Sequence, residues 1–63
     1  MKTSEVIRLL EEAGWELSRT RGSHRQYKHR QRPGKVTVPG KQSSTLHPKT
    51  LASILRQAGM ENP

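Results

Sequence analysis

One stretch of this chain combines a histidine with many cations and no acid: Arg19-Thr20-Arg21-Gly22-Ser23-His24-Arg25-Gln26-Tyr27-Lys28-His29-Arg30. Imidazole, with an ordinary pKa of about 6.5, takes up and gives back protons near neutral pH. Cations beside it attract phosphate. RNA brings its own nucleophile, the 2′-hydroxyl next to each phosphodiester. Its cleavage needs a base for that proton, cations for the charge on the phosphorane and an acid for the leaving oxygen. His24 is the candidate base or acid. Gly22 is free to take a positive φ and to let a backbone approach closely. Ser23 offers a hydroxyl and a backbone N–H. Arg21, Arg25 and Lys28 are candidate phosphate contacts. The same residues also suit a tight hairpin whose histidine is merely solvated, so spacing alone leaves both readings open.

Other chemistries lack their residues. The chain has no cysteine, which removes thiol catalysis, disulfides and Cys-based zinc sites. It has no aspartate, and its five glutamates are not paired with histidine at metal-ligand spacing. A Ser-His-Asp triad fails for the same reason. A phosphate-binding loop requires a longer glycine motif than Arg21-Gly22-Ser23-His24. Neither a metal nor another cofactor is expected. Of the other histidines, His29 should close a strand at the sheet edge, and His47, before Pro48 in a polar loop, should be structural or surface-exposed.

The charge balance names the partner class. Twelve Lys and Arg against five acids give a formal charge of +7, and no acid lies between residues 17 and 60. A single-sign field of this kind attracts polyanions, with nucleic acid first among them. No candidate helix joins its basic residues to a wide apolar face, so a membrane surface is not expected. The start of the chain, with Glu5 and no long apolar run, resembles neither a signal peptide nor a membrane span, and a cytoplasmic location is expected.

Residues 4–13 and 48–58 read as helices. Val6, Leu9, Leu10 and Ala13 form one apolar stripe, and Leu51, Ile54, Leu55 and Ala58 repeat it. Thr3 or Ser4 should cap the first helix, and Pro48 suits the first position of the second. Both helices end on Ala-Gly followed by an apolar residue, so Trp15 should cover Leu10 as Met60 covers Leu55. Between them the period falls to two. Trp15 and Leu17 share one face, Tyr27 marks the core side of the next run, and Val36 and Val38 share the third. Gly22-Ser23 and Pro33-Gly34 separate these runs. Leu46 should anchor the polar loop before the second helix. The expectation is a single α+β domain over residues 1–63, a three-stranded antiparallel sheet with two helices on one face. Strand parity puts His24, Gln26 and Lys28 on the open face and Arg25 on the side of Tyr27.

The segments "SEVIRLLEEAGWELSRTRGSHRQYKH", "VTVP" and "TLASILRQAGM" together resemble the HicA-type toxins of bacterial toxin–antitoxin modules over nearly the whole chain. The resemblance implies a double-stranded-RNA-binding-like fold and an mRNA interferase, a metal-independent endoribonuclease whose essential histidine corresponds to His24. It also implies a neutralising HicB-type antitoxin, which often carries the DNA-binding domain of such modules; direct DNA reading by this chain is not expected. The substrate should be single-stranded mRNA, because in-line attack needs backbone freedom that an A-form duplex restricts. The alternative is a small RNA-binding module without catalysis.

Overall fold

A computed structural model describes residues 1–60; residues 61–63 of the expected domain lie outside it. The elements follow in the order α1 (Thr3–Glu12), β1 (Glu16–Arg21), β2 (His24–Lys28), β3 (Val36–Val38) and α2 (Pro48–Gln57). The strands form one antiparallel sheet in the order β1-β2-β3. Val6, Ile7 and Leu10 of α1 meet Tyr27, Val36 and Val38 of the sheet and Ile54 and Ala58 of α2 in one buried cluster, closed by Trp15 and Leu46. This is the expected α+β architecture, with both helices contributing to the core on one face of the sheet.

The twin helix endings are the same cap built twice. Trp15 N–H donates to the Leu10 carbonyl at 2.9 Å and Gly14 N–H to the Glu11 carbonyl at 3.1 Å. Met60 and Gly59 repeat the pair onto Leu55 and Arg56 at 2.8 and 3.1 Å. These are Schellman caps, and they need a left-handed residue, here Gly14 at φ +98° and Gly59 at φ +68°. The segment after β2 locks both caps. His29 Nε2 lies 2.9 Å from the Ala13 carbonyl, and Arg32 Nη1 donates to the Ala58 carbonyl at 3.2 Å.

Two expectations need correction. The buried stripe of α1 is Thr3, Val6, Ile7 and Leu10, whereas Leu9 is half-buried and Ala13 exposed. The helix is turned so that Thr3 and Ile7 enter the core instead. Secondly, the N-cap is Lys2, not Thr3 or Ser4. The first free N–H groups of α1 find partners in the loop before α2: Thr3 N–H donates to the Ser44 carbonyl at 2.9 Å and Ser4 N–H to Gln42 at 3.0 Å. A distant backbone thus does the work of a capping side chain, and Thr3 Oγ1 adds a bond to the same Ser44 carbonyl. Leu17 pairs with Tyr27 across the strands yet is 54% exposed. All six β1 residues are exposed, because the helical layer leaves this edge strand uncovered.

Tyr27 contributes a pH dependence. Burial, and secondarily Glu11, raises its phenol above the ordinary value of 10.0, with Arg25 opposing. The unfolded chain therefore ionises this group first as pH rises, and the stability contribution present below pH 10 is lost as pH climbs through the folded-state value. Tyr27→Phe is expected to lose less stability than the wild type between neutral pH and strong alkali. Urea denaturation across that range checks it; identical alkaline slopes would remove Tyr27 as the cause.

Candidate active site on the outer face of the sheet

The β1–β2 hairpin carries the candidate site. Arg21 and His24 are the last cross-strand pair, so the loop is two residues, Gly22-Ser23. Gly22 has φ +59°, and among the described residues no non-glycine has a positive φ, the pattern of a type II′ turn. A Cβ on Gly22 would meet nothing within 4 Å, so conformation alone requires glycine here. Gly22→Ala should cost about 1–2 kcal/mol, whereas Ser23→Ala, at an exposed position, should stay within roughly ±0.5 kcal/mol. Chemical denaturation of both variants checks the contrast.

Tyr27 is 2% exposed on the core side. Alternation along β2 sets His24, Gln26 and Lys28 on the opposite face, where His24 and Lys28 are exposed and Gln26 half-buried. β1 supplies the neighbours through a bulge. Leu17 pairs with Tyr27, but Arg19 pairs with Gln26 and Arg21 with His24, so the register slips at Ser18. Simple alternation from Leu17 would have turned Arg19 and Arg21 toward the core side. The extra residue reverses the parity and brings both arginines to the face of His24. Glu16, paired with Lys28 in register, lies at the far end of this face, 3.8 Å from Arg30 Nε in an exposed ion pair.

Arg25 is placed differently. It is half-buried on the side of Tyr27, and its Nη1 donates to the Gly40 carbonyl at 2.8 Å. It ties the turn after β3 to the middle of the sheet.

The three histidines separate by their hydrogen bonds. His29 Nδ1 accepts from Gln31 N–H at 3.0 Å while Nε2 faces the Ala13 carbonyl, an arrangement that suits the Nε2–H tautomer. Its ring stands edge-on to Trp15 at 5.2 Å. His47 is the N-cap of α2, its Nδ1 accepting from Lys49 N–H at 3.1 Å. Among the described residues, only His24 has both ring nitrogens outside such a bond.

His24 also borders a depression that spacing did not reveal. Thr37 and Pro39 continue its sheet wall, and Lys49, Thr50 and Ser53 of α2 form the facing wall. Gln57 joins the walls: its Oε1 accepts from Thr37 N–H at 3.1 Å, closing the free edge of β3, and its Nε2 donates to Ser53 Oγ at 3.2 Å. Arg19, Lys49, Thr50 and Ser53 are therefore site-bordering residues that local reading missed. The bulge and the seating of α2 beside β3 are tertiary facts with no short-range sequence signal.

The arrangement offers an exposed imidazole, flanking cations and a concave, acid-free wall. It can bind an anionic strand and exchange a proton with it. Among the described residues, no three His, Cys, Asp or Glu side chains gather as a metal site, and no helix is long and apolar enough to cross a membrane. A comparison with curated proteins finds no match. A family model described as the HicA toxin of bacterial toxin–antitoxin systems matches residues 3–60. The chain therefore belongs to the HicA toxin family, a toxin whose system implies an antitoxin partner.

Proposed function

We propose that this toxin is one RNA-binding domain that acts as a metal-independent endoribonuclease, an mRNA interferase of the cytoplasm, and that His24 is its proton-transfer group. The observation that carries this reading is the division among the histidines. Two are spent on helix caps, and the third stands on the basic outer face with both nitrogens unengaged among the described residues.

His24, acting as base, takes the proton of a 2′-hydroxyl as that oxygen attacks the adjacent phosphorus. The bond to the 5′-oxygen breaks, and that oxygen receives a proton from solvent or from the returning imidazolium. The products are a 2′,3′-cyclic phosphate and a 5′-hydroxyl. Arg21 and Lys28 share the face of His24 and offset the charge of the phosphorane. Arg19 extends the same cationic row. Gly22 and Ser23 shape the turn, and the Ser23 N–H is available to a phosphate oxygen. Arg25 acts at one remove, holding the turn after β3 beside the site. The strand bound is single-stranded mRNA, and the neutralising partner is an antitoxin of the HicB type, which covers this basic face.

The test is incubation of purified protein with RNA in EDTA, followed by analysis of the product ends. Cyclic phosphate and 5′-hydroxyl ends are expected, with cleavage lost in His24→Ala. RNA that is bound but never cut would sink the enzyme reading in favour of a binding module. Cleavage abolished by EDTA would sink the metal-free mechanism.

A further inference from the structure

The depression between the sheet and α2 has chemistry of its own. Its volume of about 390 Å³ falls within the ~300–1,000 Å³ of ordinary small-ligand sites, and it is open to solvent. None of its lining residues is acidic. Thr50 and Ser53 stand three residues apart, on one flank of α2. Ser53 Oγ already accepts from Gln57, which leaves its hydrogen free to donate outward. Lys49 is exposed and takes part in neither ion pair formed among the described residues. Gln57 has both ends of its amide engaged and serves to fix Ser53 against the sheet. The facing walls thus present one cation and two hydroxyl donors across from His24.

We infer that this depression seats the RNA nucleotide beside the scissile phosphate, with Lys49 on a backbone phosphate and the Thr50 and Ser53 hydroxyls on its sugar or base edge. The inference rests on the cleavage reading only in naming which phosphate lies next door. Binding can be measured apart from it. A concave site with spaced hydroxyls fits a nucleotide better than the flat charge array that an acidic protein surface would meet.

The experiment titrates a short, random-sequence 2′-O-methyl oligonucleotide pool, which has no free 2′-hydroxyl to attack, against wild type, Lys49→Ala, Lys49→Arg and the double variant Thr50→Val/Ser53→Ala. Fluorescence anisotropy is read over a salt series, and thermal melts confirm folding. Lys49→Ala is expected to weaken binding and lower the salt slope by about one, with Lys49→Arg restoring most of it. The double variant is expected to weaken binding without changing the slope. With unmodified RNA, both losses should appear in KM more than in kcat. Variants that bind the oligonucleotide as the wild type does overturn the inference, even where cleavage by the wild type is intact. Variants that bind RNA normally but lose the antitoxin assign the depression to the protein partner and overturn it too. If the wild type binds but never cleaves, the cleavage reading fails, and the depression is judged on the binding data alone.

Discussion

Replacing His24 by alanine is expected to lower RNA cleavage by roughly 10²–10⁴-fold while the fold stays intact. The rate term follows from what the variant lacks. The cationic row of Arg19, Arg21 and Lys28 remains, so the variant is expected to keep its RNA binding and the positive charge offered to the phosphorane. Only the proposed proton-transfer group is gone. The stability term follows from placement. His24 opens β2 at an exposed position, its side chain enters none of the described hydrogen bonds, and its backbone pairing with Arg21 does not depend on the ring. Exposed substitutions of this kind stay within about ±0.5 kcal/mol. Cleavage rates and urea midpoints measured on one preparation check both halves. Undiminished cleavage would reduce His24 to a contact residue, and a midpoint shifted as far as that of a core variant would make it structural.

How much of this was legible in the sequence differs by residue. The two Schellman caps were, because Ala13-Gly14-Trp15 and Ala58-Gly59-Met60 need only local backbone chemistry. The face of His24 was also legible, since three residues of alternation separate it from Tyr27. The phase of α1 was not. Leu9 and Ala13 compete with Thr3 and Ile7 for the core, and both sets lie at helical spacing. What decides is the loop at Gln42 and Ser44, some forty residues away, which accepts the first N–H groups of the helix and draws Thr3 inward. The company of His24 was legible only in part. Lys28 follows from parity, but Arg21 reaches that face through the bulge at Ser18, and nothing in Glu16-Leu17-Ser18-Arg19 announces a bulge. Lys49, Thr50 and Ser53 come near His24 only because α2 docks beside β3. Sites assembled by long-range packing escape pattern reading, whereas those set by one hairpin do not.

Trp15→Ala should have the largest effect on stability, of order 3–5 kcal/mol, enough to unfold the protein at ambient temperature. Trp15 is 2% exposed and is the position at which α1, the sheet and the segment after β2 are joined. Its N–H closes the cap of α1 on Leu10, and its ring is the edge-on partner of His29, whose Nε2 reaches back to the carbonyl of Ala13. Alanine keeps the backbone bond but empties the space around the ring. A domain below about 70–80 residues rarely draws more than 3–5 kcal/mol from one core, so the loss matches the whole of what is available. Because Trp15 is the only tryptophan, far-ultraviolet circular dichroism must replace fluorescence as the probe. Leu17→Ala supplies the contrast, since an apolar residue 54% exposed on an uncovered edge strand should cost far less. A cooperative transition in Trp15→Ala within about 1 kcal/mol of the wild type would mean that the caps and the Tyr27–Val36–Val38 layer carry the fold without it. The expected result is a chain with no transition at all, which also distinguishes it from His24→Ala: both lose cleavage, but only one loses the structure that positions the histidine.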